Sequence, residues 1–87
     1  MKAVITVIGK DMVGILAKVS TTCAESNVNV ADVTQTILQE YFTMIMLVDI
    51  EKMNMSFEDF RKKLEAAVPE MKVHVMHEDI FNSMHRI

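Results

Sequence analysis

Gly9, Asp11 and Gly14 stand within six residues of one another in the stretch VIGKDMVGILAKVS (residues 7–20), and the chain has no other glycine. An aspartate between two glycines suits recognition rather than bond-making. Backbone left bare by glycine lets a partner come close, and a helix beginning here offers free amides and the positive end of its dipole. Gly9 ends an apolar run where the chain must turn, and glycine permits φ > 0 there without steric cost. Asp11 is a natural N-cap, accepting the amide of Val13 or Gly14. Gly14, in the first helical turn, costs about 1 kcal/mol relative to alanine, a cost offset if something approaches the backbone closely. Either a neighbouring strand or a ligand can be that something, and residue types alone do not choose. A capping Asp11 competes with an anionic ligand for the same amides. A zwitterion avoids the conflict, its ammonium on Asp11 and its carboxylate on the amides, so the pattern expects an amino acid.

The other reactive residue types lack companions at useful spacing. Cys23 falls on an apolar helical stripe with no histidine placed to activate it, so it reads as a small buried hydrophobe. As the single cysteine it forms no internal disulfide, which suits a reducing, cytoplasmic setting. His74 and His77 have H-x-x-H spacing, but on a strand they point to opposite faces and cannot share a metal. His77 with Glu78, Asp79 or His85 reads as a polar surface cluster. Of nine methionines, Met44 and Met46 share a strand face where core packing suffices. The acidic residues scatter, with no pair isolated for general acid–base work. No metal, cofactor or catalytic set is therefore expected, and the chain reads as non-enzymatic.

With 87 residues, 51% of them hydrophobic and 24% charged, the chain reads as a single globular domain over 1–87 that gains from oligomerisation. A net charge of −3 argues against nucleic acid, which needs a basic face. The longest apolar run, Met44 to Val48, is too short for a membrane span.

Elements follow from periodicity. Residues 3–8, AVITVI, read as a central strand, apolar on both faces. Ile15, Leu16, Val19 and Cys23 recur at helical spacing and predict a helix from about Met12 to Ser26. Residues 27–39 predict a strand bulged around Ala31-Asp32, with a tight turn at Gln39-Glu40 into a strand over 41–51. Ser56, with Asp59 three residues on, predicts an N-cap. Phe57, Phe60, Leu64 and Val68 form the stripe of a second helix that Pro69 stops. Residues 71–77 alternate as a half-buried strand, and Asp79 caps a short helical tail over about 79–87. The order β-α-β-β-α-β predicts an α+β, ferredoxin-like sandwich: a four-stranded antiparallel sheet in the order 4-1-3-2 with two helices on one face. Strand two would be an edge, yet Val33 to Leu38 carries neither charge nor proline to discourage pairing. That edge, with a third strand apolar on both faces, points to a homo-oligomer such as a dimer.

These motifs resemble a known family. VIGKDMVGILAKVS looks like the G-x-D-x-x-G-I/L-x-x-x-V-S signature of the ACT domains in formyltetrahydrofolate deformylases and glycine-cleavage regulators. VNVADVTQTILQEYFTMIMLVDI continues the likeness with N-[VI]-x-D-x-x-Q and an F-x-M-x-M strand, and the match, closest to the small stand-alone ACT proteins, covers essentially the whole chain. The resemblance implies regulatory sensing of an amino-acid-like metabolite at a subunit interface. Carried over by position, the loop site is Gly9, Lys10, Asp11, Met12, Val13, Gly14 and Ile15, with Asn29, Asp32 and Gln35 as secondary candidates. ACT domains usually regulate a fused catalytic domain and this chain carries none, so its output would lie in a partner enzyme or in assembly itself. A ligand-free, homo-oligomeric interaction domain is the alternative. Other users of the sandwich fit less well. RNA-recognition domains need basic and aromatic central strands, metal chaperones a C-x-x-C loop, and acylphosphatase-like enzymes an arginine near the first loop.

Overall fold

Side chains alternate across a strand, so a strand covered on one side shows a two-residue burial period. The computed structural model describes residues 1–10 and 13–84; β1 (Lys2–Lys10) shows this period apart from Val4, which is buried as well, and β3 (Tyr41–Asp49) shows it throughout. In β1, Ala3, Ile5 and Val7 are buried; in β3, Phe42, Met44, Met46 and Val48 are buried. Between and after them come α1 (Ile15–Glu25), β2 (Asn29–Leu38), α2 (Phe57–Ala67), β4 (Lys72–His77) and α3 (Glu78–Met84). The sheet order is β2-β3-β1-β4 with antiparallel neighbours throughout. This is the expected ferredoxin-like arrangement, with the two most apolar strands at the centre.

The core lies between the sheet and the two long helices. Ile15, Val19 and Cys23 of α1 and Phe60 and Leu64 of α2 join Ile5, Val7, Met44 and Met46 in one buried cluster. The opposite sheet face carries Val4, nearly fully buried, and half-buried Ile45 and Leu47. The short helix α3 lies against β1 and β4.

Local chemistry accounts for the element ends. Ser56 Oγ accepts the Asp59 amide at 3.1 Å, the expected cap of α2. At the other end of α1, Asn27 sits in the left-handed region at φ 59°. Its amide donates to the Ala24 carbonyl and the Val28 amide to the Cys23 carbonyl, at 3.2 and 2.8 Å. This is a Schellman ending with asparagine in the position glycine usually takes. Its neighbourhood is stitched to the β3–α2 loop: Asn27 Nδ2 donates to the Lys52 carbonyl, and Asn54 Nδ2 to the Glu25 carbonyl. In β2 the register slips between Val30 and Asp32, the expected bulge.

Three expectations need correction. Helix α1 begins at Ile15 rather than about Met12, and Leu16 is 38% exposed while Thr22 takes a buried position. Thr22 can do so because its Oγ1 donates to the Lys18 carbonyl at 3.0 Å. Helix α3 starts at Glu78, directly from β4, which puts Asp79 inside its first turn instead of at its cap.

The β2–β3 turn holds Gln39 at φ 57°, a conformation costing a side-chain-bearing residue about 1–2 kcal/mol. Part of that relief is returned by the greater freedom of glycine in the unfolded chain. Gln39→Gly is therefore expected to stabilise the fold by up to about 1 kcal/mol, seen as a higher midpoint in thermal melting.

Candidate functional site

The two glycines exchange the roles that the sequence suggests for them. Gly14, not Gly9, adopts a positive φ, 86°, and it is the N-cap of α1 rather than a first-turn residue. Among the described residues nothing lies within 4 Å of the place its Cβ would occupy. Gly9 lies inside β1 opposite Phe42. A Cβ there would overlap the Met71 side chain, whose Cε stands 2.9 Å away. Close approach is thus an intramolecular matter at Gly9, and the turn belongs to Gly14.

No side chain among the described residues caps α1, and its first turn holds no acidic residue. The first amides of a helix have no partner within it, so this end differs from that of α2, where Ser56, Glu58 and Asp59 serve. The proposed Asp11 cap, and Met12 with it, lie outside the described residues. Val13 is 98% exposed, while Ile15 is turned into the core and is only 2% exposed.

Strand register places the remaining candidates. Gly9 stands opposite Phe42, whereas Asn29 stands opposite Asp49, seven residues along β3 and hence about 23 Å away along the sheet. Asp32, opposite Leu47, is about 17 Å along, and its carboxylate accepts the next amide, that of Val33. Gln35, opposite Met44, lies within about 7 Å along the strand direction. The fold therefore brings Gln35 toward the loop and leaves Asn29 and Asp32 at the far end. Ile37, in the same transverse row as Gly9 and 59% exposed, is nearer still. In the sequence it belongs to the uncharged edge Val33 to Leu38 rather than to the loop site; the hairpin register sets it in the row of Gly9.

A cavity of about 380 Å³ opens beside the end of β1, lined by Ile8, Gly9, Lys10 and Tyr41 and by residues 70–72. A larger one, about 520 Å³, lies at the other end of the sheet among Asn27, Asn29, Asp49 and Glu51. Two of its polar side chains are already engaged: Asn27 with the Lys52 carbonyl, and Asp49 with the Glu51 amide at 3.0 Å. Among the described residues no three His, Cys, Asp or Glu side chains converge as a metal site would need.

Cys23 is fully buried, and burial pushes its thiol up to about 11. A thiol whose folded pKa is raised favours folding below its unfolded pKa, near 8.5, and that contribution is lost as pH rises toward the folded value. Wild-type stability is therefore expected to fall relative to Cys23→Ala as pH climbs from about 8.5 to about 11. Denaturant titrations at stepped pH check this. Alkylation at pH 8 should require unfolding.

Comparison with known proteins bears on this architecture. A model of the ACT domain matches residues 2–78. The chain belongs to the ACT-domain family. It is 47% identical to a UPF0237 protein of Listeria innocua across the full length of both. An ACT domain protein from Streptococcus pneumoniae is similar in structure, with a TM-score of 0.79, 40% identity and 98% of each chain covered. A formyltetrahydrofolate deformylase from Pseudomonas putida shares the fold alone: 13% identity and a TM-score of 0.79 over 91% of this chain and 29% of that one. ACT domains are regulatory modules that often bind amino acids. No helix among the described residues is long and apolar enough to cross a membrane.

Proposed function

We propose that this ACT domain is a non-enzymatic cytoplasmic module that binds a small amino-acid-like metabolite at the β1–α1 turn and regulates a partner. One observation carries the reading: among the described residues, no side chain caps α1 and nothing lies within 4 Å of where a Gly14 side chain would begin. First-turn amides there are available to a carboxylate, as no described residue uses them. Loop residues Gly9, Lys10, Asp11, Met12, Val13 and Gly14 form the contact region, with Gln35 beside it and Ile15 anchoring the helix behind it. A thermal-shift screen of the proteinogenic amino acids and folate derivatives tests the reading. A stabilising ligand whose effect disappears in Asp11→Ala supports it, and no shift at millimolar ligand defeats it.

The exposed edge supports an oligomer at the same place. Ile37 and Tyr41, 59% and 49% exposed, stand at the β2–β3 end near the loop, and β2 has no partner strand on its outer side. An unprotected apolar edge favours pairing with a second copy, which would set the loop beside a subunit interface. It also supports the second reading, a ligand-free interaction domain acting through assembly. Light scattering separates the cases: a monomer of 9.9 kDa at high concentration defeats the oligomer, and a dimer without any amino-acid response favours the second reading.

A further inference from the structure

The sheet face turned away from α1 and α2 is unevenly covered. Val4, Thr6, Ile8 and Lys10 of β1 point to it, together with their ladder partners Met76, His74, Lys72 and Tyr41. At one end Val4 is only 3% exposed, and α3, which lies against β1 and β4, is what covers it. At the other end Ile8 and Tyr41 stay 39% and 49% exposed. Ile8 is four residues, about 13 Å, along β1 from Val4. The seven residues of α3 span about 10 Å and start directly after His77, the partner of Ala3. A chain's own α3 thus leaves the far end bare, and the cavity of about 380 Å³ opens there.

The bare end and α3 are complementary. The cavity sets Lys10 and Lys72 against the one carboxylate of Glu70, with Ile8 and Tyr41 as its apolar surface. Helix α3 carries Glu78 and Asp79 and no cation, and its Ile80 is 52% exposed. Lys2 lines a cavity with Glu78 and Asp79 at the covered end. No ion pair among the described residues engages Lys10, Lys72, Glu78 or Asp79. A two-fold axis lying across the strands over the row of Thr6 exchanges the two ends of this face between two copies. Each copy then receives the other's α3, so the contact is made twice.

We propose that this outward face is a dimer interface in which α3 of each copy docks on the Ile8–Tyr41 end of the other. Ile80 covers Ile8 and Tyr41, while Glu78 and Asp79 meet Lys10 and Lys72, an apolar centre with a charged rim. The occupant is a second copy because the same chain carries the complement of its own bare end in both charge and apolar surface. The contact uses neither the first-turn amides of α1 nor the main-chain groups of the β2 edge. It therefore stands apart from the metabolite reading and from edge pairing.

Sedimentation velocity of the full chain tests the proposal, with far-UV circular dichroism to verify the fold of each variant. Lys10→Glu/Lys72→Glu reverses the bare end, and Glu78→Lys/Asp79→Lys reverses α3; none of the four residues is buried. Wild type should sediment as a dimer of 9.9 kDa chains. Each reversed variant alone sets like charges together in both contacts, and its dissociation constant should rise at least about tenfold. Mixed in equal amounts, the two should recover the dimer, since every reversed end then meets an opposite α3. Ile80→Asp should also raise the dissociation constant about tenfold or more. A wild-type monomer at millimolar concentration overturns the proposal, as does a mixture that stays as dissociated as its parts. A dimer that none of these variants weakens overturns it too, and leaves the β2 edge as the contact.

Discussion

Replacing Phe60 by alanine is expected to remove about 3–5 kcal/mol of stability, the usual range for emptying a fully buried aromatic position. Phe60 is 0% exposed and heads the fully buried side chains by volume. It lies on the stripe of α2 that faces the sheet, one turn before Leu64. The loss combines the transfer energy of the ring with a cavity that a two-layer fold closes poorly. A chain of 87 residues has roughly 4–13 kcal/mol in total, so the variant should sit near its unfolding transition at 37 °C. Urea titration should show a lower midpoint with an unchanged slope. Phe60→Leu, which keeps most of the volume, should lose far less. A loss below about 1 kcal/mol for the alanine variant would mean that α2 is not seated as described.

Gly14→Ala is expected to cost about 1–2 kcal/mol for a purely conformational reason. The added methyl meets no described residue within 4 Å, but the backbone holds φ at 86°. The order of substitutions follows: asparagine should be tolerated best, alanine less, and valine least. Gly9→Ala has the contrary origin, since its methyl meets the Met71 side chain. Double-mutant cycles distinguish the two mechanisms. Gly9→Ala and Met71→Ala should be non-additive, because removing Met71 makes room, whereas Gly14→Ala and Met71→Ala should add. Additivity in the first cycle would remove steric contact as the reason for Gly9.

This contrast marks how far sequence can be read. Strand order was accessible because apolar strands belong at the centre, and the cap at Ser56, the stop at Pro69 and the bulge near Ala31 each follow from a single residue's chemistry. What failed was the division of labour between two glycines. A glycine is compatible with a turn, with a positive φ and with a close neighbour alike. Only the position of Met71, from a segment sixty residues away in the chain, decides among them. The start of α1 slid for a related reason, since Met12 and Val13 fit a helical pattern that a left-handed Gly14 interrupts.

The bonds of Asn27 and Asn54 give the molecule a mechanical polarity. At its C-terminal end α1 is tied to the β3–α2 loop by two side-chain bonds and by the Asn54 amide on the Ser26 carbonyl. At its N-terminal end it starts from Gly14, with no side-chain cap among the described residues. A tilt about the tied end would have a lever arm of about 16 Å for 11 residues. The far end of that lever is the β1–α1 turn, where Ile15 seats the helix in the core. A metabolite that pulls on the first-turn amides would thus act where displacement per unit of force is greatest, and the stitched end would serve as the fulcrum.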